Sequence, residues 1–591
     1  MNAKANTYLR GLRCLLAHVN LKEIPRTLSP RKFIKKIVKR FLMRLPKPSV
    51  KFTLLFALLL NFLLWQLLIP IWHFPDEQAH FGQVAFRADH GRVQRYHELS
   101  TSREILISEE LLGTKRDGLG NNRFTYHPEF KIDYSKTYDG LHEAEIESLN
   151  NRIDRTTEVS EESTRYPLLY YYLASKVYNL FGNSDLFTRV YIVRFFSLVI
   201  FIGTFATIFA ISRLIFPKNF LLQISLTSIV SFMPMFIFSS AGVTSDGLFN
   251  FLFMLAIYLK VKITFSKYSM KDIMLLAAVI LAGIGTKFQF QIIWPIIAFA
   301  LLFIFWRLQF RKKLIFLGSL IVTIPIILIT INFLQFFVND HGIPSFKQFV
   351  RLPAIPETED LQLKSATELP ITTYLIGVLR RTVTETLPWY FGVYKWLSLA
   401  LPPIVYQIIN RLLVLSIFGL LVLIYKAIKQ NKFDQQTKVL IFLAYVAVAY
   451  FLSITIFDWF FIRGHGFSFG IQGRYFFPTI IAHIGLVFVG LLTLFPESFK
   501  KWVAAILVIA TIIFNYFSLF WVASHYYDTS SINTFILQAS QYKPEIFKGE
   551  GILLILFLSA FLTFFFLYHY VKIILGRRIW PRISLSQKIR L

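Results

Sequence analysis

The chain has 591 residues, 55% of them hydrophobic and 17% aromatic, and its 63 Lys and Arg against 34 Asp and Glu give a net charge of +29. That composition excludes an ordinary soluble, disordered or collagen-like protein. The lone cysteine, Cys14, excludes an intrachain disulfide and a cysteine-built zinc cage.

Residues 1–51 are strongly basic, with Arg31, Lys32, Lys35, Lys36, Lys39 and Arg40 against the single acid Glu23, which predicts a cytoplasmic N-terminal segment. Phe52 to Trp72 is long enough to span and reads as a first transmembrane helix rather than a signal peptide. Residues 74–165 hold more than half of all the acids and read as a large extracytoplasmic loop. Leu168 to Phe181 is apolar and aromatic but too short to cross a core of roughly 30 Å, so it predicts an interfacial helix. Apolar runs then recur near 190–213, 220–240, 244–263, 272–286, 289–306, 314–338, 404–427, 438–457, 474–494, 502–523 and 551–573, the fourth marginal in length. With the first helix they predict about twelve spans within a transmembrane domain over 52–573, followed by a basic cytoplasmic tail, 574–591.

Alternating the connections from a cytoplasmic N-terminus puts Arg213, Lys218, Lys260 to Lys271, Arg307 to Lys313, Lys426 to Lys438, Lys500, Lys501, Arg577 and Arg578 inside. The same count puts Asp246, Asp340, Glu357, Glu359, Asp360, Glu385, Asp458 and Asp528 outside. The expected fold is therefore an all-α polytopic membrane protein, whose positive charge orients the chain and meets anionic membrane lipids. No nucleic-acid module is visible, and no paired broken segments mark an inverted-repeat transporter.

Four polar constellations interrupt this pattern. In Trp72-His-Phe-Pro-Asp-Glu-Gln-Ala-His80, Pro75 suits a helix start that brings Asp76 and His80 onto one face, with Glu77 beside them. Those carboxylates can supply a general base, Asp with His can hold a divalent metal, and acids after a proline equally suit an ordinary helix start. In Gly242-Val-Thr-Ser-Asp246, Thr244, Ser245 or Asp246 can cap a helix, and Asp246 can join Asp76 and His80 around Mg, Mn or Zn. Lys287, between two short apolar segments, can snorkel or contact phosphate. Gln472-Gly-Arg474 closes an outer loop that also holds Asp458, Arg463 and His465, and an arginine there suits an anionic lipid headgroup. Glu385 to Trp396 is aromatic and interfacial. All these fall on the outer side by the count, where a transferase must draw its donor from lipid, and neither a P-loop nor a Rossmann fingerprint is present.

Pro75-Asp-Glu-Gln-Ala-His-Phe81, Phe391-Gly-Val-Tyr-Lys-Trp396 with Leu401-Pro402, and Gln472-Gly-Arg-Tyr-Phe-Phe-Pro478 together resemble the bacterial membrane proteins of domain-of-unknown-function family 2142. The resemblance covers about 50–500, and that family is similar in plan to the GT-C superfamily of polyprenyl-phosphate-sugar-dependent glycosyltransferases. It implies that Asp76, with Glu77 as neighbour, is the acid acting near the acceptor. Where GT-C enzymes start a helix with His-Pro-Pro-Leu-Tyr-Tyr, this chain has Tyr166-Pro-Leu-Leu-Tyr-Tyr171, and Arg165 is the candidate to replace the lost polar contact. The expectation is an inverting glycosyltransferase of the bacterial cytoplasmic membrane. It would move a sugar from polyprenyl phosphate to an extracytoplasmic acceptor, with Arg474, Lys287, Arg463 and Gln472 toward the lipid phosphate. A ligase or polymerase of lipid-linked oligosaccharides, and a glycan flippase or assembly partner, are the rival expectations.

Overall fold

The computed structural model describes residues 49–94, 100–116, 142–149, 152–159, 166–307, 369–396, 398–430, 433–466 and 468–575. The chain divides into two compact units, Met1–Phe52 and Thr53–Leu591, and the candidate site lies wholly in the second.

Helix α1 (Val50–Leu68) is mostly apolar, with Thr53, Asn61 and Gln66 as buried polar exceptions, and stops before Pro70, which cannot continue it. The polar stretch after it is folded: α2 (Glu77–His90), α3 (Arg103–Leu111) and α4 (Glu143–Glu147) are joined by a two-stranded antiparallel ribbon that pairs β1 (Thr101–Ser102) with β2 (Arg155–Thr156). Two buried ion pairs, Arg116–Glu109 at 2.7 Å and Arg189–Glu104 at 2.6 Å, tie this region together and to the span that follows. The expected short interfacial element is α5 (Leu169–Tyr178), which packs on α2 through Tyr170, Tyr171, Ala174 and Tyr178 and leaves Tyr172 exposed.

Helix α6 (Leu186–Ile215) is started by Asp185, whose carboxylate accepts from Thr188 N at 2.9 Å. The apolar run at 220–240 is two helices, α7 (Phe220–Ser231) and α8 (Pro234–Ala241), bent by 57°. Pro234 takes the first position of α8, where its missing N–H costs nothing, and every residue of α8 is buried. Next come α9 (Asp246–Phe265), α10 (Met270–Ile284), a 3-10 turn (Phe288–Ile292) and α11 (Ile293–Arg307). The marginal run at 272–286 is thus a 15-residue helix, and the next is a short apolar one.

Downstream lie α12 (Ile371–Arg381), a π-helical turn (Thr382–Thr386), α13 (Leu387–Gly392) and the hairpin β3 (Val393–Tyr394)–β4 (Leu399–Ala400). Helices α14 (Pro403–Lys429) and α15 (Gln435–His465) follow, then a 3-10 turn (Gly473–Thr479) leading into α16 (Ile480–Thr493), α17 (Glu497–Ser524), α18 (Ile532–Ala539) and α19 (Glu550–Ile574). Among the described residues eight helices are long and apolar enough to cross a membrane, nine if the bent pair counts as one span. The expected span at 314–338, most of segment 1–51 and most of the tail lie outside the described residues. The chain is an all-α polytopic membrane protein. Its outermost spans α14 and α19 bury little of their surface and present Leu, Ile and Phe outward, as lipid contact requires.

Candidate active site

The site begins where α1 ends. Three carbonyls at and just past the end of α1, those of Gln66, Ile69 and Pro70, accept from Arg194 of α6 at 2.8–3.0 Å, and the same guanidinium grips Glu77 through Nε at 2.8 Å and Nη2 at 2.7 Å. Glu77 also accepts from Trp72 N at 3.1 Å and Val243 N at 3.2 Å. Both side chains are fully buried. Four donors on one carboxylate commit Glu77 to holding the fold together. Its work is to fasten the 69–76 turn to α6 and to the loop between α8 and α9. Gly242 lets that loop close, since any side chain there would strike the Phe74 ring.

This knot places two other acids. Asp76, one residue before Glu77, caps α2 in the left-handed conformation (φ 55°). Asp246, three residues past Val243, opens α9, its backbone N–H donating to Thr244 Oγ1 at 3.1 Å. Lys287, just before the 3-10 turn, is paired with the Asp246 carboxylate. Arg474, in the turn that leads into α16, donates through Nη2 to Asp76 Oδ2 at 2.8 Å and through Nε to Gln472 Oε1 at 2.8 Å. Its Nη1 lies 3.9 Å from Asp246, beyond hydrogen-bond distance. Gly473 lets this turn press onto α13, because a Cβ there would collide with the Tyr390 backbone nitrogen.

The result is two acid–cation pairs where the spans meet the polar region, with Asp76 the most open member at 38% exposure. Asp76 Oδ1 makes no hydrogen bond among the described residues. Aromatic rings border the group: Tyr166 lies 5.4 Å from Lys287 and 5.3 Å from the His80 ring, and Tyr475 flanks Arg474 at 5.6 Å. Gln289 donates to Tyr450 Oη at 2.7 Å behind Lys287.

Burial raises the Asp76 carboxyl, but the Arg474 charge together with His80 outweighs it and holds the group below the usual carboxylate range. Burial pushes His80 down to about 4, so it is neutral at pH 7, with its Nδ1 sharing a 2.8 Å hydrogen bond with Tyr171 Oη. His73, buried and bonded to Tyr526 Oη at 3.1 Å, is lowered by burial to about 3.

Several expected members stand elsewhere. Arg463 is exposed near the end of α15 with its guanidinium 4.9 Å from the Trp459 ring. Asp458 is fully buried and accepts from Tyr374 Oη, Ser468 Oγ and Phe469 N at 2.6–3.0 Å, while Glu385 is exposed on the π-helical turn. Arg165 and the His465 side chain lie outside the described residues. Among the described residues no three His, Cys, Asp or Glu side chains come together to hold a metal. Asp76 and Asp246 are instead engaged by Arg474 and Lys287, so the donor set does not fit the Asp76–His80–Asp246 cation site considered from sequence. Arg194, visible in sequence as an ionisable group in the apolar run Leu186–Ile215, was not among the expected site residues.

The profile of the family described as "Predicted membrane protein (DUF2142)" matches residues 58–483. The chain belongs to that family. The DUF2142 match contains Asp76, Asp246, Lys287 and Arg474. No curated protein matches the chain. Among solved structures, the chain is similar to the apo oligosaccharyltransferase of Archaeoglobus fulgidus, with a TM-score of 0.38 and 14% identity over 84% of this chain. It spans 56% of that protein's length. It is also similar to apo ArnT of Cupriavidus metallidurans, with a TM-score of 0.33 and 12% identity over 86% of this chain and 75% of that one.

Proposed function

We propose that this DUF2142 protein is an inverting membrane glycosyltransferase that takes a sugar from polyprenyl phosphate and passes it to an acceptor hydroxyl at the outer face of the bacterial cytoplasmic membrane. The observation that carries this reading is the Asp76–Arg474 contact beside the Asp246–Lys287 pair, an ionised, half-open carboxylate next to two cations at the edge of the apolar spans.

In this reading the acceptor oxygen attacks C1 of the sugar as the C1–O bond to phosphate breaks. The bonding pair leaves with the lipid phosphate, and the acceptor proton passes to Asp76 Oδ1, which has no protein partner among the described residues. Arg474 Nη1, uncommitted at hydrogen-bond distance, takes a phosphate oxygen, with the Lys287 charge beside it. Asp246 holds Lys287, and Gln472 orients Arg474. In the same reading both termini face the cytoplasm, which the distribution of basic loops supports.

The test is sugar transfer by the purified protein in proteoliposomes, supplied with radiolabelled monosaccharide polyprenyl phosphate and a mixture of envelope acceptors. Transfer that requires Asp76 supports the reading. Transfer only from an oligosaccharide-lipid donor replaces it with a ligase or polymerase, and lipid-linked glycan translocation without transfer replaces it with a flippase.

A further inference from the structure

Helix α12 has 11 residues, about 16 Å of helix, which is half of what a bilayer core of roughly 30 Å demands. It is amphipathic on two sides. Tyr374 and Val378 are buried against α15, whereas Ile376, Leu379 and Val383, spaced as one stripe through the π-helical turn, are 71%, 62% and 59% exposed. Arg380 and Arg381 close the helix. Its start is pinned by Trp459 Nε1, which donates to Leu369 O at 3.1 Å, and Arg463 stands over that indole. Cations therefore stand at both ends of α12, Arg463 beside its start and Arg380 with Arg381 in its last turn between Leu379 and Val383, and the exposed acid Glu385 comes one turn further on.

Two observations say what covers it. The helix that α12 packs on, α15, also presents an apolar surface, with Ile456, Phe457 and Phe460 exposed. The terminal arginines complement phosphate headgroups. We propose that α12 is a membrane-surface helix lying in an anionic lipid interface, with Ile376, Leu379 and Val383 among the acyl chains and Arg380 and Arg381 at the phosphates. Through Tyr374 it also steadies the chain segment before Arg474. Tyr374 Oη donates to Asp458 Oδ2 at 2.6 Å, and Asp458 Oδ1 accepts from Ser468 Oγ at 2.7 Å and Phe469 N at 3.0 Å. That segment runs directly into Gln472 and Arg474.

The experiment uses the full chain in nanodiscs. In a Cys14→Ser background, Ile376→Cys is labelled with a nitrobenzoxadiazole dye, and Ser530→Cys serves as an exposed loop control. Nitroxide-labelled lipid should quench the dye at 376 several-fold more than aqueous iodide does, with the reverse at 530. Adding phosphatidylglycerol to phosphatidylcholine should deepen the lipid quenching at 376, and Arg380→Gln with Arg381→Gln should abolish that increment. Iodide quenching at 376 would make the stripe water-facing, and silence to both quenchers would mean that protein covers it; either overturns the proposal, as does an increment that survives loss of both arginines. Tyr374→Phe should leave quenching at 376 intact while hydrogen exchange over 468–472 rises several-fold. Unchanged exchange would refute the link to Arg474. None of these readouts depends on sugar transfer.

Discussion

Arg474 and Asp76 are 398 positions apart in the chain and share a 2.8 Å hydrogen bond between Nη2 and Oδ2. The contact joins the turn after α1 to the turn before α16, so the cluster depends on tertiary packing and on no local motif. The separate roles of its members can be distinguished by measurement.

Asp76→Asn is conformationally mild, because asparagine tolerates the left-handed backbone that this position adopts. It cannot act as a base at neutral pH. We expect normal membrane abundance and melting, with transfer reduced on the order of a hundredfold to ten-thousandfold. Wild-type turnover by the purified variant would make Asp76 purely structural.

Glu77→Gln should behave in the opposite way. Removing the charge that Arg194 grips leaves a buried guanidinium uncompensated, a loss of about 3–5 kcal/mol. Thermal melting in detergent should show a large drop in Tm with reduced folded yield. A variant that melted like the wild type would contradict the anchoring role.

For Arg474 the planar fork matters, since it serves Gln472 and Asp76 at once and leaves Nη1 for phosphate. Arg474→Lys should retain part of the donor use, and Arg474→Ala should lose about tenfold more, both with intact insertion. Equal activity of all three proteins in the donor assay would leave Arg474 as a lipid anchor only.

Acid should weaken the fold through the buried histidines. His73 and His80 are held at about 3 and about 4, below their ordinary value of 6.5, so the unfolded chain binds more protons than the folded one between those limits. Stability is full above pH 6.5 and falls as pH drops toward 4, and the depressed Asp76 adds a further loss only as pH falls through its folded value. Melting temperatures from pH 8 to 4 should decline below 6.5, and His73→Gln should flatten the slope; a flat wild-type profile would rule this out.

Membrane orientation is open to single-cysteine labelling in a Cys14→Ser background. Glu385→Cys and Ser530→Cys, both at exposed positions, should react with an impermeant maleimide in intact spheroplasts, and Lys267→Cys only after lysis. The reverse pattern would put the cluster on the cytoplasmic side and remove the argument for a lipid-borne donor.

The helices were legible because spans are written as contiguous apolar runs, and α6, α9, α14, α16, α17 and α19 fall where those runs stand. The break between α7 and α8 was not read, although Pro234 marks it, because the composition stays apolar across it. Asp76, Asp246, Lys287 and Arg474 stood out as polar interruptions, and the structure brings all four together. The division of labour between Asp76 and Glu77 was not legible. Adjacent acids look alike in sequence, and only the position of Arg194, 117 residues from Glu77, decides which is consumed. Arg463 shared a loop with Arg474 yet stands against Trp459, since proximity along the chain does not fix where a side chain packs.

The Glu77–Arg194 knot also has a mechanical consequence. Asp76 is covalently next to Glu77, and the loop to Asp246 is hydrogen-bonded to the same carboxylate, so the two acids form one rigid anvil. Lys287 and Arg474 instead ride on 3-10 turns at breaks between helices. The two acids are therefore expected to stay in register while the turns that carry the cations move more freely. Hydrogen exchange should be slow through 76–80 and 243–247 and measurably faster through 285–290 and 470–475.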